Sequence, residues 1–297
     1  MPQVQANGIT IEYEVFGSAA DPVVLLIMGL GAQLTRWPVA FCEQLAARGF
    51  RVIRFDNRDV GRSTHLTSAP IPDIAHVLAL CGMGMPVEVP YTLQDMAADA
   101  IGLLDALRVD KAHIVGASLG GMIAQIIAAD YPQRTLSLTS IMSTTGNPAL
   151  PAPTAAAAAV LFSRAPDPQD KAAYLAHALN SARTVASPGH AFNEPGVRER
   201  ILTELSRGYN AAGTVRQMAA VGVSGDRTNQ LKRITAPTVV VHGADDPLVN
   251  VAAGRATAAA IPNAELRIIP GMGHDLPIPL YGTLIDAIVA AAKRALT

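Results

Sequence analysis

Short apolar runs punctuated by glycine and proline recur along the whole chain. Residues 9–16, ITIEYEVF, alternate apolar and polar side chains and predict an antiparallel strand with one face toward water. Residues 23–28, 50–55, 113–115, 136–142 and 238–241 are largely apolar throughout, and 264–269 reads the same way. Runs of this length between turn-forming residues predict strands covered on both faces, as in a parallel sheet. Between them the apolar positions take helical spacing. One helix is predicted over 37–48, ending at Gly49, and another over 92–107, opened by the capping-box-like Thr92-Leu-Gln-Asp95. Two more are predicted over 119–130, before Pro132, and over 251–260, before Pro262. Strands alternating with helices predict an α/β fold with a doubly wound, mostly parallel sheet.

That rhythm breaks between residues 147 and 235. The stretch opens with Asn147-Pro-Ala-Leu-Pro-Ala-Pro153, passes through five alanines at 155–159, and continues with helical patterns and no strand signal. Strand patterns resume at Thr238, so the expected organisation is a core of residues 1–146 and 236–297 with a helical cap, 147–235, inserted in it. Residues 66–90, rich in Pro, Gly and Met, form a second excursion expected to lie near the cap.

Composition narrows the class of function. The chain has 297 residues, half of them hydrophobic and only 16% charged, which suits a large buried core rather than a disordered chain. A net charge of -1 without any basic run leaves no footprint for nucleic acid. The start carries no basic segment ahead of an apolar run, and stretches such as 23–28 are too short to span a bilayer. A cytoplasmic protein without stable membrane insertion is expected, as a monomer or a homodimer. Cys42 and Cys81 have neither metal-like nor CxxC spacing and read as buried thiols.

The candidate chemistry begins at Gly116-Ala-Ser118-Leu-Gly120-Gly121, which follows an apolar strand pattern and opens a helical one. A serine hydroxyl is a poor nucleophile and needs exposure, a base and a site for the oxyanion. A tight strand–turn–helix elbow exposes the side chain and crowds its neighbours, which explains glycine at 116 and 120. The first free N–H groups of the helix point at the same spot, and Leu119 N–H is one candidate oxyanion donor. Near the C-terminus, Pro270-Gly-Met-Gly-His274-Asp follows the last strand pattern, in position for His274 to reach over the sheet as general base. Between them, His242-Gly-Ala-Asp245-Asp246-Pro247 ends a strand with two adjacent carboxylates, either of which could orient the imidazole. His113 and His242 read as strand residues, and the remaining histidines, scattered along the chain, suggest no metal site.

The elbow and the histidine loop together resemble the α/β-hydrolase superfamily, over the whole chain apart from the helical insert. The resemblance implies Asp246 as the acid of a Ser118–Asp246–His274 triad. It also implies Leu30 N–H as the second oxyanion donor, with Met28 where many relatives have histidine. Within the superfamily the aclacinomycin methylesterase group looks nearest, through Ile27-Met28-Gly29, the turn from Asp56 to Thr64 and the Ile269-to-His274 segment. In that turn Asp59 stands where other members of the superfamily carry glycine. The resemblance implies a serine carboxylesterase acting on apolar, short- to medium-chain esters, methyl esters among them, with no metal or organic cofactor. A small-molecule ester is the expected partner. Met28, Met83, Met85, Leu161, Phe162 and Tyr174 are the candidate lining of its apolar pocket. The same triad would also serve a perhydrolase, a thioesterase, a proline iminopeptidase or a carbon–carbon hydrolase, and a receptor relative would keep the fold without turnover.

Overall fold

A computed structural model describes residues 1–296, and its strands are β1 (Gln3–Ala6), β2 (Ile9–Phe16), β3 (Val23–Ile27), β4 (Arg51–Phe55), β5 (Ala112–Ala117), β6 (Thr135–Ile141), β7 (Thr238–Gly243) and β8 (Glu265–Ile269). Among the described residues these form one eight-stranded sheet in the order β1-β2-β4-β3-β5-β6-β7-β8. β1 and β2 are antiparallel and β2 runs antiparallel to β4, while every pair from β4 to β8 is parallel. The predicted doubly wound α/β sheet is therefore the one observed. β1 escaped the apolar pattern because it is short and half polar. Its trace in the sequence is Asn7-Gly8, both at positive φ, the pair that a two-residue hairpin turn favours.

The helices are α1 (Val39–Ala46), α2 (Ile74–Gly82), α3 (Leu93–Ala106), α4 (Leu119–Asp130), α5 (Ala155–Leu161), α6 (Lys171–Val185), α7 (Glu194–Arg207), α8 (Ala211–Ser224), α9 (Thr228–Leu231), α10 (Val251–Ala260) and α11 (Tyr281–Arg294). α1 is shorter than the pattern over 37–48 because Pro38 caps its start and a 3-10 turn, Leu34–Arg36, precedes it. The Thr92–Asp95 capping box is present with both of its hydrogen bonds. Alternate strand residues serve opposite layers. Leu25 and Ile27 pack with Leu104 of α3 and Ile123 of α4, whereas Val24 and Leu26 pack with Phe41 of α1 and Ile288 of α11. β3, β5 and β7 are buried along their whole length, which is why β3 and β7 are mostly apolar in sequence, whereas the edge strand β8 is half-buried and carries Glu265 and Arg267.

Between β6 and β7 the chain forms α5 to α9 and no strand. This helical stretch is pinned to the sheet by buried charges. Arg216 of α8 grips Asp59 through both guanidinium edges, Nε–Oδ2 at 2.7 Å and Nη2–Oδ1 at 2.8 Å. Arg207, at the end of α7, reaches Asp56 Oδ2 at 2.6 Å. Asp59 adopts φ +66°, the left-handed region that glycine enters freely, and its carboxylate is what that conformation delivers to Arg216. Burial acting alone would raise the Asp59 pKa. The hydrogen bonds from Arg216 and the Leu66 N–H outweigh it and hold the carboxyl below its ordinary value. The resulting stabilisation is present above the usual carboxylate range and lost as pH falls through it.

Removing one partner of such a pair strands the other charge in the interior. Arg216→Leu is expected to lower the unfolding free energy by about 3–5 kcal/mol, read from urea unfolding, and Asp59→Gly in the same background should restore part of that loss.

Candidate active site

Ser118 lies in the single-residue gap between β5 and α4, with φ 57° and ψ -123°. A non-glycine residue held there costs about 1–3 kcal/mol, so its surroundings must fix it. Its N–H donates to Ile141 O at 2.9 Å, and its carbonyl accepts from Gly121 N at 2.9 Å and from Ser143 Oγ at 2.8 Å. The strand and helix on either side come so close that side chains are excluded. A Cβ on Gly116 would sit 2.0 Å from Gly120 O, and one on Gly120 would sit 2.1 Å from Ile27 O. The elbow geometry and its glycines therefore have one cause, the crossing of α4 over β3 and β5.

His274 bridges the other two candidate residues. Its Nε2 lies 3.0 Å from Ser118 Oγ and its Nδ1 lies 2.7 Å from Asp246 Oδ2. A carboxylate at Nδ1 fixes the proton on that nitrogen and leaves Nε2 free to accept the serine proton. The carboxylate is itself held, because Asp246 Oδ1 accepts from Leu248 N at 2.9 Å and Val249 N at 2.8 Å, with the side chain fully buried. The neighbouring acid does something different. Exposed Asp245 accepts from Gly271 N at 2.8 Å and braces the histidine loop. His242 is buried 3.6 Å from Asp246 Oδ2, with its Nε2 at 2.7 Å from Val249 O, and burial pushes its pKa down. It remains neutral at ordinary pH and acts as part of the wall behind the acid.

Beside Ser118 lies the loop after β3. A Cβ on Gly29 would meet Ser118 Cβ at 3.1 Å, so this backbone lies directly against the serine. Its neighbouring polar groups are occupied. Met28 O accepts from Asn57 Nδ2 at 3.0 Å, and Gly31 N donates to Gln217 Oε1 at 2.8 Å. Among the described residues no acceptor meets the N–H of Leu30. Leu119 opens α4, where a first-turn N–H has no acceptor within its own helix. Asn57 and Gln217 were not among the sequence candidates. Gln217 lies in α8, far along the chain from Gly31, and no local motif signals it.

Residues 22–279 match the family described as the alpha/beta hydrolase fold. The chain belongs to this α/β-hydrolase family. Across its length the hydrolase is 30% identical to the rhodomycin D methylesterase DnrP of Streptomyces peucetius, covering 97% of this chain and 96% of that protein. It is 26% identical to the 3-oxoadipate enol-lactonase 2 of Acinetobacter baylyi, covering 97% and 95%. Among solved structures, the meta-cleavage product hydrolase of Pseudomonas fluorescens IP01 superposes with a TM-score of 0.76 at 19% identity, covering 99% of this chain and 98% of that one.

The hydrolase does not gather its six candidate pocket side chains into one place. Met28 turns into the core with Trp37 and Phe41. Met83, Met85 and Phe162 are exposed on the surface, and Leu161 is half-buried at the end of α5. Tyr174 packs edge-on against Tyr209 beside a small polar cavity of about 60 Å³ that also touches Gly31, Arg36 and Glu204. Burial pushes its hydroxyl up to about 12. A larger open cleft of about 430 Å³ is lined by Arg183, Ser187, His190, Phe192, Asp245 and Pro247. Among the described residues no three His, Cys, Asp or Glu side chains converge as metal ligands, and no helix is long and apolar enough to cross a membrane.

The elbow of this hydrolase should tolerate no side chain at position 120. Gly120→Ala is expected to lower the unfolding free energy by about 3 kcal/mol or more, since its Cβ would meet backbone rather than a mobile side chain. Urea unfolding reads the loss; wild-type stability would show that the crossing of α4 is looser than described.

Proposed function

We propose that the protein is a serine carboxylesterase that hydrolyses apolar, short- to medium-chain carboxylic esters, methyl esters included, through an acyl-enzyme on Ser118. The observation that carries this proposal is the continuous path from Asp246 through His274 to Ser118, with contacts of 2.7 and 3.0 Å. Ser118 Oγ attacks the ester carbonyl as His274 Nε2 takes its proton. Asp246 holds the imidazole in the receiving tautomer and stabilises the imidazolium that forms. The carbonyl oxygen, now charged, is received by the N–H groups of Leu30 and Leu119, neither of which must break another bond to serve it. His274 then protonates the departing alcohol, and a water activated by the same nitrogen releases the carboxylic acid and frees Ser118.

Similarity to a methylesterase and to an enol-lactonase supports an ester bond as the target, because a lactone is a cyclic ester. Residues 147–235 serve in this proposal as the cap that selects the acyl group. A small-molecule ester is then the only partner that the chemistry requires.

Ser118→Ala and His274→Ala are each expected to lower kcat by about 10⁶-fold, because a triad acts as a unit. Asp246→Asn should lower it by about 10⁴-fold through the wrong tautomer, while Asp245→Asn leaves turnover close to that of the wild type. Hydrolysis of p-nitrophenyl esters of graded chain length is the measurement. Turnover that survives in Ser118→Ala overturns the nucleophile, and a stronger loss in Asp245→Asn than in Asp246→Asn reverses the acid. A preference for aminoacyl amides over neutral esters rejects the esterase assignment.

A further inference from the structure

The loop that carries His274 is fastened on its outer side to the helical insert, residue after residue. Gly271 O accepts from Gly189 N at 2.9 Å, and His274 N donates to Val185 O at 2.8 Å. Gly273 N donates to Ser187 Oγ at 2.9 Å. Ser187 returns both of its donors to the residue after the histidine: its N–H reaches Asp275 Oδ1 at 3.0 Å, and its hydroxyl donates to the same oxygen. The result is a closed ring, Gly273 N–H to Ser187 Oγ–H to Asp275 Oδ1, that brackets residue 274 on both sides. Ser187 is 4% exposed, so water does not compete for these bonds. The flanking glycines are demanded by the same contact, since a Cβ on Gly273 would sit 2.6 Å from Ala186 O and one on Gly189 would sit 2.6 Å from Gly271 Cα.

We infer that Asp275 and Ser187 are positioning residues for the base: the ring they close sets where the His274 backbone stands, while Asp246 sets how its ring is turned. A hydrogen bond at Nδ1 fixes the rotation of an imidazole but leaves its Cα free to drift. The distance from Nε2 to Ser118 Oγ depends on that Cα, and about 1 Å of misplacement costs on the order of 10²-fold in rate. Asp275 neither touches substrate nor transfers a proton. Burial raises its pKa above the ordinary carboxylate value, and the Ser187 hydrogen bonds counter only part of that rise. What the loop needs from it is a single oxygen that accepts two donors. The inference builds on Ser118 and His274 acting as nucleophile and base.

The test compares Asp275→Ala, Ser187→Ala, the double variant and Asp275→Asn, all in the full chain, with p-nitrophenyl ester turnover resolved into kcat and KM. Opening the ring should lower kcat by about 10- to 100-fold in each alanine variant while KM changes far less. The double variant should be no worse than the poorer single, because both remove the same ring. Asp275→Asn keeps the accepting oxygen and should recover most of kcat. Wild-type kcat in either alanine variant overturns the inference, as does an Asp275→Asn variant as impaired as Asp275→Ala, which would show that charge and not the ring matters. Thermal unfolding of each variant separates these results from loss of fold: a fall in melting temperature with kcat unchanged per folded molecule also refutes it. Ser118→Ala measured alongside tells the two levels apart. Turnover there refutes the serine assignment and the positioning role with it, whereas an inactive Ser118→Ala beside fully active ring variants refutes the positioning role alone.

Discussion

The site depends on a crossing so tight that two positions accept no side chain at all. α4 passes over the ends of β3 and β5 with the carbonyls of Gly120 and Ile27 closer to the neighbouring glycines than any Cβ allows. That approach forces the one residue in the gap, Ser118, into a left-handed conformation and turns its hydroxyl out of the sheet. The same approach lays the Gly29–Leu30 backbone against the serine and starts a helix beside it. Exposure of the Ser118 hydroxyl, its backbone strain and the two free N–H groups are therefore consequences of one packing constraint.

The other half of the geometry comes from the helical stretch between β6 and β7, which holds both loops that flank Ser118. On one side Gln217 of α8 takes the Gly31 N–H, and the buried pairs Arg216–Asp59 and Arg207–Asp56 anchor that helix layer to the turn after β4. On the other side the segment after α6 holds the backbone around His274. Distances at the site thus rest on contacts between residues far apart in the chain. A buried pair of this kind contributes less to net stability than to fixing one arrangement, because desolvation offsets much of the attraction.

This division explains what could be read from the sequence. Through short apolar-rich runs between turn residues β3 to β8 were legible to within a few residues, and through helical spacing so were α3, α4 and α10. β1 was not, because an edge strand of four residues with one buried side chain has no apolar signature. The serine elbow and the histidine loop were legible because steric crowding writes itself locally as glycine. The two adjacent acids were not separable from pattern alone. The loop after β7 turns Asp246 inward and Asp245 outward, and only the resemblance to the family favoured Asp246. Gln217, Asn57, Ser187 and Asp275 escaped notice for a further reason: each acts across a contact between separate loops or between the insert and the sheet, and such a contact leaves no periodicity. The pocket candidates, chosen for apolarity alone, scattered between core and surface, since apolar side chains in helices are first of all packing residues.

Everything proposed for this hydrolase turns on the Ser118 hydroxyl being made nucleophilic by His274. Reaction of the intact protein with a fluorophosphonate, followed by mass spectrometry of the whole chain and of its peptides, puts that to the test. A single phosphonyl adduct per chain is predicted, on the peptide that contains Ser118, and no adduct at the same exposure once His274 is replaced by alanine. An unmodified protein, an adduct on another residue, or labelling that persists without the imidazole would contradict it.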